Sequence, residues 1–336
     1  MPSWGGAFLS IVSYFVRQIV CSPVRLFRVL WRMSTNISEQ FSVMQLLRNR
    51  AVASYVCANP KFLFKYLPPR YLIRNMSAPT RTTCFLHHYK YLLSQLSDNS
   101  LRTILREDVT VFQLQDGEHR FEITMGRSRD IRHSRHVDHE GELSLNLLVD
   151  HSHVYVLSFT IVPGWVVGSQ TVDVLMITRI QGALGVFPKI SQASKAMRGM
   201  PADMILMTAL RGVAEAFGIR EMAGVSAARH LCYCEDDDAI FKKSYDEFFL
   251  RVGAARNSAD FFIALFPLPE KPLSQVKRGQ KTRARARRAF KEQMAMETFG
   301  YFRLHGSTAA ERSLCYAFDL HDPEGSDDGD SRVARE

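Results

Sequence analysis

The stretch from His151 to His230 constrains this chain more than any other. It reads HVYVLSFTIVPGW, then VLMITRIQGALG, then ISQASKAMRGMPADMILMTALRGVAEAFGIREMAGVSAARH. Two strands, a helical passage of about 30 residues and a third strand form the pattern of a mixed core with a ligand crevice. The period-two alternation extends upstream. VTVFQLQ and EHRFEITMG flank Asp116-Gly117 and predict a hairpin with a type I′ turn. GELSLNLLV and HVYVLSFTIV predict a second hairpin across Asp150 and His151, and VDVLMITRIQG adds a strand, so five strands in a row are expected, mostly antiparallel.

Beyond them, ISQASKAM and ADMILMTALRGVAEAFG read as helices, with Gly218 as the stop of the second. REMAGVSAA is a strand, SYDEFFLRVG a helix closed by Gly253, and DFFIALFPL a last strand. The fold class is therefore α+β, a mixed, mostly antiparallel central sheet with helices on its faces. Residues 36–56 are expected to be helical with Asn36 or Ser38 as the cap, and the four prolines Pro60, Pro68, Pro69 and Pro79 mark an irregular connection. CFLHHYKYLLSQL and NSLRTIL follow as helices. The expected division is an amphipathic segment over 1–35, one α+β domain over 36–300 that ends in a basic helix, and a mostly disordered acidic tail over 301–336.

Hydrophobic residues make up 46% of the 336, enough for a sizeable core, and the formal charge is +9. The basicity is local. Lys277, Arg278, Lys281, Arg283, Arg285, Arg287, Arg288 and Lys291 fall in one run without an acid, and the rest of the chain is close to neutral. Such a run calls for an anionic partner, and an anionic membrane surface or lipid phosphate suits it better than nucleic acid, because only Phe290 interleaves an aromatic ring. The run could also meet the acidic tail, where Asp319 to Asp330 holds six acids, or be a solvated helix face.

At the N-terminus, about 13 apolar residues precede Arg17, too few to span a bilayer and without the flanks of a secretory signal. On a helical wheel Arg17, Arg25, Arg28 and Arg32 share an arc of roughly 80°, which suits either an interfacial helix or an ordinary packed one, and Pro23 divides the segment in two. The six cysteines are scattered, which fits a reducing compartment. A cytoplasmic protein, or one peripheral to the inner membrane, is expected.

The blocks HHYKYL, GELSLNLL, VYVLSFTIVPG, ITRIQG, GIREMAGVSAARH, SYDEFF and KTRARARR, in this order, resemble the bacterial VirK/YbjX family over roughly Phe41 to Met294. That resemblance implies a Gram-negative protein linked to virulence, envelope maintenance and resistance to antimicrobial peptides, with no reaction attached. The second half also resembles the acyl-CoA-binding half of GNAT superfamily acyltransferases, in which a glycine-rich turn opens a helix that holds the cofactor pyrophosphate. That likeness would assign Arg198, Gly199 and Ala202 to a thioester donor, acyl-CoA or acyl carrier protein. Met200 and Pro201 depart from the pattern, and Pro201 offers no N–H to a phosphate.

Ser226 and His230 follow the strand GVSA, where ligands meet α/β sheets, and are the candidates near an acceptor. No third group orients the histidine in the sequence, and the pair reads equally as a polar strand end. His230, Cys232 and Cys234 lack the second pair of a structural zinc site. His133, His136, His139, His151 and His153 form a second cluster, able to sense acid or bind a transition metal, or to be a polar loop between strands. No metal is assigned.

Overall fold

A computed structural model of the chain describes residues 4–21, 23–34, 37–128 and 139–306. Residues 307–336 of the expected tail, His133 and His136 lie outside them, while residues 301–304, expected to belong to the tail, continue the last helix. The architecture is α+β, built on one eight-stranded mixed sheet. In chain order the strands are β1 (Val109–Asp116), β2 (His119–Arg127), β3 (Leu143–Val149), β4 (Ser152–Pro163), β5 (Asp173–Gly182), β6 (Glu221–Val225), β7 (Ala255–Arg256) and β8 (Phe261–Leu265). Their spatial order is β1-β2-β3-β4-β5-β6-β8-β7, and every pairing is antiparallel except β5 with β6.

The five-strand meander exists as its periodicity predicts, with one difference at its first turn. Asp116 pairs with His119, so the loop is Gly117-Glu118, and only Gly117 has a positive φ, +60°. Glycine at the first central position is the type II′ requirement, so the expected type I′ turn is replaced by its neighbour in register. Asp150 and His151, by contrast, both have positive φ and close the second hairpin. All seven residues of β3 are buried, and successive residues point to opposite faces, so helices cover the sheet on both sides.

Those helices are α1 (Trp4–Cys21), α2 (Pro23–Ser34), α3 (Ile37–Gln45), α4 (Arg50–Ala58), α5 (Ala78–Gln95), α6 (Asp98–Arg106), α7 (Phe187–Ala196), α8 (Ala202–Phe217), α9 (Asp238–Phe241), α10 (Glu247–Arg251) and α11 (Lys281–Leu304). Pro23 begins α2, where a missing N–H costs nothing. The expected helix over 36–56 is two helices, because the Asn49 side chain accepts from the N–H groups of Ala51 and Val52 and starts α4 afresh. Gly218 and Gly253 end their helices at φ +74° and +87°. No helix among the described residues is long and apolar enough to cross a membrane.

One parallel pair in an antiparallel sheet needs a crossover, and α7 with α8 supplies it between β5 and β6. α11 lies along α8, and the two approach closely at Gly212, where a Cβ would come within 2.4 Å of the Ala295 carbonyl oxygen.

Candidate functional site

The parallel pair is short. β6 meets β5 only at Leu175, Met176 and Ile177, whereas β4 stays paired with β5 as far as Gly182. The register of β4 against β5 shifts between Ser158 and Phe159, where Ile177 and Arg179 are the partners and Thr178 is the extra residue. A bulge ends regular pairing and re-aims side chains, and here it falls where β6 leaves. The strands part beyond Ile177, and the gap opens into a cleft of about 610 Å³, an ordinary size for a small-ligand site.

Residues from distant parts of the chain meet there: Glu140 ahead of β3, Ile180 on β5, His230 and Cys232 after β6, and Tyr245. Tyr245 lies on a π-helical turn, Lys242–Asp246, between α9 and α10, so the helix expected over SYDEFFLRVG carries an irregularity next to the cleft. Such turns cost regular hydrogen bonding and recur at functional sites.

The hydrogen bonds fix the chemistry of His230. The Cys232 backbone N–H donates to its Nδ1 at 3.1 Å, so that nitrogen carries no proton. The ring proton is therefore on Nε2, which lies 2.8 Å from the Tyr245 hydroxyl and donates to it. Burial, aided by the nearby Arg179 cation, pushes the imidazole pKa down to about 3 and keeps it neutral. The Cys232 thiol donates to Glu140 Oε1 at 3.1 Å, and burial together with that carboxylate pushes its pKa up to about 12. Arg179, almost fully buried, holds the other Glu140 oxygen at 3.4 Å.

Glu140, His230 and Cys232 bring three ligand-type atoms within 4.8 Å of one another. A cation on His230 Nε2 would have to displace the bond to Tyr245 and drive the ring proton to Nδ1, against the Cys232 N–H. The set is therefore better described as hydrogen-bonded groups than as a metal centre. Cys234 stands apart, its sulfur 3.8 Å from an Asp236 oxygen.

Ser226 and His230 take different partners. The Ser226 hydroxyl, fully buried, donates to Asp260 Oδ2 at 2.9 Å, and Asp260 in turn receives Arg256. Of the histidine cluster, His151 sits in the β3–β4 turn 3.2 Å from Glu122 Oε2, and His139 borders a separate hollow beside Cys232.

The Arg198–Gly199 turn lies ahead of α8, with both residues at positive φ, +58° and +69°. Ala202 begins the helix and is buried. The Asp203 carboxylate accepts from the Met204 N–H and pairs with Arg251, so a negative charge already occupies the first turn. What the turn does receive is the basic helix. Arg287 Nε donates to the Arg198 carbonyl at 3.3 Å, and Arg283 lies so close that a Cβ on Gly199 would meet its guanidinium at 2.6 Å. Two sequence candidates some 85 residues apart are thus one place. Further along, Arg288 and Lys291 are paired with Glu270. Lys277, Arg278, Lys281, Arg283, Arg285 and Arg287 have no carboxylate partner among the described residues.

Glu140, Arg179 and Tyr245 were not singled out by sequence reasoning, and Cys232 was weighed there only as a metal ligand beside His230 and Cys234. Arg179 and Tyr245 lie in ITRIQG and SYDEFF, two blocks that carry the family resemblance, and that is their only signal.

The fold and the site define an α+β protein with a polar crevice at a parting of parallel strands and a cationic helix beside the crossover. The chain belongs to the family described as protein of unknown function (DUF535), whose model matches residues 24–298; this is the VirK/YbjX family, a bacterial domain. No curated protein and no solved structure matches the chain.

Proposed function

We propose that the protein contacts a phosphate-bearing anionic surface, a bilayer leaflet or lipid phosphate, through the first half of α11 and the Arg198–Gly199 turn. The observation that carries this reading is the convergence of the Arg283 and Arg287 guanidinium groups on the Arg198–Gly199 turn, neither with a carboxylate partner among the described residues. Guanidinium groups chelate phosphate oxygens, and like charges gathered at one spot lose their mutual repulsion when an anion joins them. The exposed side chains of Leu9, Val16, Phe27 and Trp31 on α1 and α2, in a segment without an acid before Glu39, add a surface able to enter a headgroup layer. A place in the cell envelope, with the links to virulence and antimicrobial-peptide resistance that the resemblance implies, is consistent with that contact.

Vesicle co-sedimentation tests it. Binding to phosphatidylglycerol vesicles is expected to weaken with salt and to be absent for phosphatidylcholine. Each basic group near a surface contributes about 1 kcal/mol, so replacing Arg283, Arg285 and Arg287 by Ala lowers the partition roughly 100-fold. Unchanged partition, or a mobility shift with duplex DNA at the same salt, would sink the lipid reading.

The parting of β5 and β6 favours a second reading, acyl transfer from a thioester donor held in the crevice. Its support is the cleft and its mixed lining, in which Ile180, Phe241 and Phe248 offer an apolar wall beside His230 and Tyr245. A saturable rise in melting temperature with acetyl-CoA, reduced by Arg198→Ala, is the expected result; no shift with either acetyl-CoA or an acyl carrier protein thioester removes it.

A further inference from the structure

The crevice contains a nucleophile with its base already in place. Among the described residues, Cys232 is the one cysteine that both lines the cleft and touches a carboxylate, its thiol 3.1 Å from Glu140 Oε1. The resting thiol keeps its proton, and a carboxylate at that distance can take it as sulfur attacks, the general-base arrangement of a nucleophile with an adjacent base. The base is itself held. Arg179 is 4% exposed and keeps Glu140 Oε2 at 3.4 Å, while its Nη1 has no hydrogen-bond partner among the described residues. A buried guanidinium with an unsatisfied N–H beside a thiol is an unusual expense for a merely structural ion pair, and it favours an additional oxygen acceptor at the site.

Tyr245 completes the set. Its oxygen accepts the His230 Nε2–H at 2.8 Å. With that bond accepted from the imidazole, the hydroxyl's own proton is left to be donated. Tyr245 lines the same cleft as Cys232, so that proton is available to an oxygen bound there.

We propose that Cys232 is an acyl-accepting nucleophile, with Glu140 as its general base and the Tyr245 hydroxyl as donor to the developing oxyanion, and that its substrate class is an acyl group activated as a thioester. This rests on the second reading above, that the crevice admits a thioester. Cys232 Sγ attacks the carbonyl carbon and forms the new C–S bond, and its proton passes to Glu140. The tetrahedral oxyanion collapses, the C–S bond to the donor breaks, and the departing thiolate takes the proton back from Glu140. One thioester replaces another, so no oxidant or further reactant is needed. His230 and Arg179 act as positioning residues, the first through Tyr245 and the second through Glu140. Ile180, Phe241 and Phe248 give an aliphatic acyl chain an apolar wall within a lining that also carries Asp203, Lys243, Glu247 and Arg251.

The full chain is incubated with octanoyl-CoA, and separately with the octanoyl thioester of N-acetylcysteamine, which has no phosphate. Intact-mass and peptide mass spectrometry read the adduct, and melting curves read binding. One octanoyl group on Cys232, labile to hydroxylamine, is expected with either donor. Cys232→Ser abolishes it and Cys234→Ser leaves it. Glu140→Gln slows acylation about 100-fold or more, and Tyr245→Phe lowers the rate by a similar order at saturating donor without changing the half-saturating donor concentration. Tyr245→Phe keeps the test meaningful should Glu140→Gln fail to fold. A donor that raises the melting temperature while Cys232 stays unmodified overturns the nucleophile and leaves the crevice reading standing. Neither a shift nor an adduct overturns both, and acylation shared evenly among Cys57, Cys232 and Cys234 marks mere surface reactivity and overturns the proposal.

Discussion

Glu142 has no exposure to solvent and is surrounded by groups chosen for its charge. It accepts from the Tyr71 hydroxyl at 2.7 Å and the Tyr89 hydroxyl at 2.5 Å, and Lys65 Nζ stands 3.1 Å away. Burial alone would raise its pKa, but Lys65 and the two hydroxyls outweigh it and hold the carboxyl below its usual value. None of these residues borders the crevice, so the network is a fold element, whereas Glu140, two residues earlier, lines the crevice. Glu142→Gln strands the Lys65 ammonium in the core and is expected to cost about 3–5 kcal/mol, read from the urea midpoint. Tyr71→Phe removes one neutral donor to a charged acceptor and costs less, about 1.5–3 kcal/mol. Equal losses from the two substitutions would show that the ion pair is not what the network protects.

At the scale of elements, the crossing of α8 and α11 decides where the cationic surface lies. Gly212 lets the helices touch; a Cβ there would come 2.4 Å from the Ala295 oxygen and 2.7 Å from the Thr298 Cβ. Gly212→Ala gains about 1 kcal/mol of helix propensity but forces the backbones apart, and a net destabilisation of about 1–2 kcal/mol is expected. The same displacement carries Arg283 and Arg287 away from the Gly199 turn, so vesicle binding falls with stability. A stabilised Gly212→Ala variant would show that the helices have slack at this contact. Sequence reasoning found both helices from their patterning, yet Gly212 inside ADMILMTALRGVAEAFG gives no hint of its partner.

For the whole molecule, two fully or nearly fully buried imidazoles make folding sensitive to acid. Burial is the main cause of the depressed pKa of both His88 and His230, each pushed down to about 3. In the folded state they stay neutral while the unfolded chain protonates them near 6.5, so the unfolded state binds more protons between those values. Stability is complete above about pH 6.5 and declines as the pH falls below it. From pH 7 to pH 5 each imidazole accounts for a loss of about 2 kcal/mol, seen as a falling melting temperature. Replacing His88 by Gln, an amide whose side chain does not titrate, should roughly halve that dependence; an unchanged slope would place the acid sensitivity elsewhere.

The sequence by itself determined the local architecture: the meander of β1 to β5, the crossover helices, the stops at Gly218 and Gly253, and the basic run of α11. These depend on period, turn residues and charge along the chain, which are properties of neighbours. Turn register escaped it by one residue at Gly117, because Asp-Gly satisfies more than one hairpin geometry. Only the tertiary structure decided that Arg283 and Arg287 rest on the Arg198–Gly199 turn, and that Glu140 meets Cys232 across 92 residues of chain. Such meetings follow from how far β6 accompanies β5 and how closely α8 meets α11. Those are packing distances, and a linear pattern does not contain them.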